Sequence, residues 1–195
     1  MDWLFPLVAF AAVSSGTPGP NNLLLWSSGA SFGIRRTIPH VLGTSLGLGT
    51  MALASAAGLA ALVVALPGLA IAMKVAGSLY LIYLAWQITR ASALNRATMA
   101  QPMSLVQAAG FQVVNPKAWV FALGAVTTFR PSDVDVVLGS VDVAVVMMVV
   151  ILPTAAVWAA AGDGINRLLA TERSRRIVGT ALGLLVAASV ALVWL

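Results

Sequence analysis

Between Asp2 and Arg35, and again between Arg36 and Lys74, the sequence carries no aspartate, glutamate, lysine or arginine. A helix rises 1.5 Å per residue, so about 20 apolar residues bridge the roughly 30 Å of a bilayer's hydrocarbon core. Each run is long enough to cross at least once. Composition fits that solvent: 60% of the 195 residues are hydrophobic and 9% charged, whereas soluble domains are about 45–50% apolar and about 25% charged. The length leaves room for six or seven spans and no sizeable extramembrane domain, so whatever the chain does is done inside the bilayer.

The residue inventory excludes several chemistries. There is no cysteine, hence no disulfide, thiolate metal site or dithiol redox pair. One histidine is too few for the usual haem or zinc sites, and no cofactor or metal is expected. The net charge of +5 comes from basic residues scattered between apolar runs rather than gathered in a stripe. They read as topology signals and not as a nucleic-acid surface. Met1-Asp2-Trp3 lacks the basic start of a secretory signal, so the first segment is expected to be retained.

Apolar runs between polar punctuation predict six segments, at 3–30, 38–66, 69–88, 103–129, 136–161 and 177–195. They make one all-α polytopic membrane domain over 1–195. The loops after segments one, three and five hold Arg35, Arg36, Arg90, Arg96, Arg167, Arg173, Arg175 and Arg176, whereas the opposite side has Arg130 and the nearby Lys74. Basic residues accumulate on the cytoplasmic side. Those three loops are therefore expected inside and, if all six segments cross, both termini outside.

Two segments are interrupted near their middle, the first by Thr17-Pro18-Gly19-Pro20 and the fourth by Asn115-Pro116-Lys117. The breaks are about as far apart in sequence as Gly77 and Gly179 in segments three and six. This layout predicts two three-helix repeats, about 1–90 and about 103–195, inverted because each has an odd number of spans. Segment one either crosses or re-enters at its break, and the charge pattern fits both. Proline frees backbone N–H and C=O groups that hydrocarbon cannot satisfy. Thr17-Pro18 and Asn115-Pro116 each read as a cap and the first residue of a new half-helix. Such helix starts present N–H groups and partial positive charge, a place for a carboxylate. A single proline can merely kink a span, but paired breaks point to a transporter's binding site.

Lys117 falls near the centre of its segment, where a charge costs roughly 3 kcal/mol on insertion scales, and beside a helix N-terminus whose dipole repels it. It calls for an anionic partner, unless it snorkels to an interface. Asn21, Asn22 and Asn115 offer oxygens for an ammonium and NH₂ groups for a carboxylate, or cap the broken backbone. With Thr17, Pro18, Gly19, Pro20, Pro116 and Lys117 they form the expected substrate site. Asp142 in segment five and His40 at the start of segment two are candidates for proton coupling, each with an interfacial role as its alternative. Gly43, Gly47, Ala54 and Gly58 place small side chains along segment two, and Gly77 does so in segment three. Such faces pack helices closely, within the bundle or across a homodimer.

Thr17-Pro18-Gly19-Pro20-Asn21-Asn22, followed by Gly33-Ile34-Arg35-Arg36 and Gly43-Thr44-Ser45-Leu46-Gly47, resembles the first hallmark block of the LysE/RhtB amino-acid exporter family. The stretch from Ala76 to Trp86 is similar to its third-segment pattern, and Gly110-Phe111 with Asn115-Pro116-Lys117-Ala118-Trp119 to its fourth. The resemblance covers essentially the whole chain and looks closest to the cysteine and O-acetylserine exporter branch. It implies efflux of amino acids or close derivatives across the bacterial inner membrane, driven by the proton motive force as antiport. Some members carry an acid in the second segment, whereas 38–66 here has none. A dibasic substrate would lack a counter-charge, although Asp142 and Asp163 remain available to line a path.

The expected function is thus export of a small neutral amino acid, with homoserine, threonine, leucine or a basic amino acid as alternative cargo. A membrane enzyme would need paired acids, a histidine cluster or an activated nucleophile at membrane depth, and the segments hold none. A structural subunit would leave the breaks and Lys117 without purpose. The orientation is checked by a cysteine at Ser92 in this cysteine-free chain: an impermeant thiol reagent added outside intact cells should leave it unlabelled, and labelling would reverse the topology.

Overall fold

The computed structural model describes residues 2–59, 65–94, 101–131, 134–168 and 171–194; positions 60–64 of the second expected segment and Arg96 lie outside them. The described residues are nearly all helical and contain no strand. In chain order the helices are α1 (Leu4–Gly16), α2 (Pro20–Phe32), α3 (Ile34–Ala56), α4 (Pro67–Leu94), α5 (Leu105–Val114), α6 (Pro116–Phe129), α7 (Val136–Leu168), α8 (Glu172–Ala188) and α9 (Ala191–Trp194).

Among the described residues, three stretches are long and apolar enough to cross a membrane unaided: Pro67–Arg90, Val136–Ile165 and Glu172–Trp194. α1 and α5 are apolar but only 13 and 10 residues long, short of the roughly 20 that a span needs. They gain length only by continuing into α2 and α6. Pre-proline sterics explain both interruptions, because the residue before a proline is pushed out of the helical region. Thr17 precedes Pro18 and lies at ψ 140°, and Gly19 precedes Pro20 and lies at ψ 174°. The helix therefore restarts at Pro20, with Gly19 as its cap, and not at Pro18 as the Thr17-Pro18 pair suggested. At the second break only Asn115 precedes a proline, and α6 restarts at once at Pro116.

The path of the first segment can be followed against α7. Leu7 and Ala11 share a core with Val143, Ala144 and Met147. Further on, the Thr154 hydroxyl donates to Ser15 Oγ at 2.9 Å. Gly29 then lies against the Ala159 carbonyl, Gly162 against Trp26 and Ala30, and Gly33 beside Asp163. From Leu7 to Gly33 the contacts advance from Val143 to Asp163, so α1 and α2 run in one direction beside α7 and do not fold back at the break.

The fourth segment lies beside α3 in the same sense. Gly43 packs on the Leu105 carbonyl and Ala108, Gly47 on Ala109 and Gln112. Leu48, Met51 and Ala52 share a core with Ala118, Phe121 and Ala122. α4 pairs with α8, where Gly183 lies against Thr89 and the Ala85 carbonyl, and Gly77 meets the Val114 carbonyl at the end of α5. Gly43, Gly47 and Gly77 thus serve close packing inside the bundle. Gly58 does not: among the described residues a Cβ there would meet nothing, and its φ of +87° places it in the turn just beyond α3, a left-handed helix end that glycine favours.

α2 and α3 are joined through Gly33 alone, at φ 77° and ψ 162°, a region open essentially to glycine. Thr37 Oγ1 donates to the Gly33 carbonyl and pairs with Ser28 Oγ, which ties the turn. Around the bundle, large apolar side chains face outward, among them Phe5, Val106, Val120 and Val157. Apolar surface on that scale needs a partner other than water.

Gly29→Ala should drive a methyl into the Ala159 carbonyl and cost about 1–3 kcal/mol, as overpacking does. Gly110→Ala meets open space and should stabilise by up to about 1 kcal/mol through helix propensity. Melting temperatures of the two variants in the same detergent check the contrast.

Candidate functional site

Four carbonyls around the end of α1 are paired one by one. That of Val13 accepts from Thr17 N, that of Ser14 from Thr17 Oγ1, and that of Ser15 from Asn22 Nδ2 at 2.7 Å. The Thr17 carbonyl accepts from Asn22 Nδ2 at 2.8 Å and from Lys117 Nζ at 3.0 Å. Lys117 Nζ also donates to Thr17 Oγ1 at 2.8 Å, and its chain passes over Gly19, where a Cβ would lie 3.2 Å from Nζ. Lys117 therefore does not snorkel outward. Its partner is the negative end of the α1 dipole rather than a carboxylate, a favourable place for a cation.

The second break is supported similarly. The Gln112 carbonyl accepts from Asn115 N at 3.2 Å, and the Val113 carbonyl from Trp119 Nε1 at 2.8 Å. Asn115 occupies the cap position of α6, yet its side chain makes no cap bond; Nδ2 donates to Gln112 Oε1 at 3.3 Å instead. Gln112 Nε2 donates to Asn21 Oδ1 at 2.9 Å, and Thr44 Oγ1 donates to the same oxygen at 3.3 Å.

These groups wall a cleft between the breaks, lined by Ser14, Ser15, Gly19, Asn21, Asn22, Thr44, Gln112, Asn115, Lys117 and Thr154, with Leu48, Phe121 and Ile151 as apolar wall. That mixture of an apolar wall with a few polar groups suits a small polar molecule. Of the residues expected from sequence, Gly19, Asn21, Asn22, Asn115 and Lys117 come together here. Thr17 contributes through Lys117, while Pro18, Pro20 and Pro116 shape the backbone and do not line the cleft. Asn22 spends both amide hydrogens as the cap of α1.

The two proton-coupling candidates are not brought to the cleft. Asp142 is exposed on α7. Asp163 lies near Gly33, whose Cβ position is 3.5 Å from Oδ1. His40 is fully buried on α3, one turn before Thr44, and neither ring nitrogen has a hydrogen-bond partner. Gln112 and Thr154 line the cleft and are positions that sequence reading passed over. A glutamine three residues before a proline break in an apolar helix, and a threonine directly after Pro153, are the signals that mark them.

Helices broken side by side around a polar cleft, with apolar flanks facing outward, define a membrane transporter architecture. The sequence profile described as LysE type translocator matches residues 12–194, and the chain belongs to that family: it is a multi-pass membrane translocator and not an enzyme. The cysteine/O-acetylserine efflux proteins of Escherichia coli K12 and Shigella flexneri are each 30% identical to it over 159 residues, 82% of this chain and 82% of theirs. The protein of that name from Escherichia coli O1:K1 / APEC is 29% identical over the same share. No solved structure matches.

Asn22→Leu should leave the Ser15 carbonyl unpaired and the Thr17 carbonyl dependent on Lys117. An unsatisfied buried group costs about 1–3 kcal/mol. A fall in detergent melting temperature of several degrees, without any ligand present, is the expected reading; an unchanged value would mean that the cap contributes nothing.

Proposed function

We propose that this translocator exports a small neutral amino acid, cysteine, O-acetylserine or a close analogue, from the cytoplasm across the bacterial inner membrane at the expense of the proton motive force. The observation that carries the reading is the cleft between the breaks, where Lys117, two helix N-termini and the side-chain amides of Asn21, Asn22 and Asn115 meet. Lys117 and the helix starts suit a carboxylate, and the amide oxygens suit an ammonium. Among the described residues no acid lines the cleft, so a cationic side chain would meet Lys117 without a counter-charge. The names of the 30% identical efflux proteins support the same substrate class.

The membrane arrangement belongs to this reading. α1–α2, α3, α4, α5–α6, α7 and α8–α9 are six traverses, in two inverted repeats, with the arginine-rich loops in the cytoplasm. The parallel runs of α1–α2 beside α7 and of α5–α6 beside α3 support it, because an inverted pair of repeats exchanges those contacts. The sequence has no phosphate-binding loop of the glycine-lysine type, which leaves an ion gradient as the energy source within the chain. Of the proton-coupling candidates, His40 lies nearer the cleft than Asp142 by its position one turn from Thr44.

Cells preloaded with an amino-acid panel should release cysteine or O-acetylserine faster when the chain is expressed, and a protonophore should abolish uphill release. Lys117→Met should reach the membrane in normal amount and lose export by tenfold or more. Strong lysine export, or wild-type flux from Lys117→Met, would refute the assignment.

A further inference from the structure

The amide chain across the cleft has a fixed sense. Gln112 is 1% exposed, and its terminal group reaches the Ala108 carbonyl at 3.1 Å. A backbone carbonyl only accepts, so the group that faces it is the NH₂. The same NH₂ reaches Asn21 at 2.9 Å, which makes the facing atom of Asn21 its oxygen, an assignment that the Thr44 hydroxyl shares. Gln112 Oε1 is then left to accept from the NH₂ of Asn115. Within this chain of three amides, and among the described residues, Asn115 Oδ1, in a residue 5% exposed, and the NH₂ of Asn21 are left without a partner. Both residues line the cleft. A buried carbonyl oxygen without a partner is costly unless something that donates comes to it.

Resting on the amino-acid export reading, we propose that Asn115 Oδ1 and Asn21 Nδ2 are the two poles of a zwitterion subsite, Asn115 taking the substrate's ammonium and Asn21 its carboxylate, with Gln112 as the positioning residue that holds the two amides in opposite senses. Lys117 and the first amides of α2 add positive charge to the carboxylate pole, whereas the ammonium pole rests on the unpaired oxygen of Asn115. The specificity follows from hydrogen bonding: a site built to satisfy an NH₃⁺ rejects a molecule that lacks it, because the acceptor is again left unpaired. The side chain of the amino acid meets the apolar wall of Leu48, Phe121 and Ile151.

The test uses the full-length protein in proteoliposomes, with O-acetylserine as the transported probe and two competitors, L-cysteine and 3-mercaptopropionate, the latter being the same skeleton without the ammonium. The unsubstituted protein should prefer L-cysteine by tenfold or more. Asn115→Leu should lose that preference, chiefly through a higher KM, while inhibition by 3-mercaptopropionate stays within twofold. Asn115→Asp, which keeps an acceptor oxygen, should retain the preference. Gln112→Leu should lower it without abolishing turnover, a split that a purely structural defect would not produce. If Asn115→Leu keeps the preference, or weakens both competitors equally, the subsite is wrong while the export reading stands. If the unsubstituted protein carries no amino acid, both fall.

Discussion

In a bilayer, every backbone N–H and C=O released by a proline must find a partner within the protein, because lipid supplies none. That requirement governs the two breaks in this chain. At the first, Thr17, Asn22 and Lys117 between them take up the carbonyls of Ser14, Ser15 and Thr17; at the second, Trp119 takes that of Val113. Lys117 reaches from one break to the other and joins them. The polar side chains that pair the breaks therefore also wall the cleft, since the shelter that makes a broken helix tolerable in lipid encloses polar groups at the same depth.

Glycine makes the neighbourhood possible. Gly43 and Gly47 on α3 face α5, Gly29 on α2 faces α7, and Gly162 on α7 faces α2, in each case where a methyl group would meet backbone or a neighbouring side chain. Without a hydrophobic driving force between helices in lipid, association depends on close packing. Backbone contact along α3 and α7 brings each broken segment into line beside an unbroken helix. α3 and α7 are thus the rails along which the breaks are placed face to face, and the cleft exists because both breaks fall at the same level along them.

The charge balance follows from the same geometry. A lysine beside a helix N-terminus should be strained, yet Lys117 extends over Gly19 to the carbonyl end of a different helix, α1. Helix ends of both signs meet in one cleft, the starts of α2 and α6 and the end of α1, with no carboxylate among the described lining residues. An arrangement of that kind accommodates a molecule with both charges better than one with either alone.

The sequence by itself determined the solvent, the helical class, the two breaks and most of the residues at them, because uncharged runs of more than thirty residues and prolines in apolar surroundings leave few alternatives. Asn21, Asn115 and Lys117 were legible for the same reason. What it left open was decided by contacts between distant segments. Whether segment one turns back depended on Gly29 lying against Ala159; the partner of Lys117 depended on where α1 ends; the role of Asn22 as a cap depended on how the chain turns between α1 and α2; and that of Gln112 as the link between Asn21 and Asn115 depended on helices roughly ninety residues apart lying side by side. Sequence also set the first half-helix at Pro18, whereas two successive pre-proline restrictions moved it to Pro20. It counted Gly58 among the packing glycines, whereas the chain leaves the helix before it. Periodicity and composition report what a residue can do in a given solvent, but the pairing of a polar group is a statement about its neighbour, and only the tertiary structure supplies the neighbour.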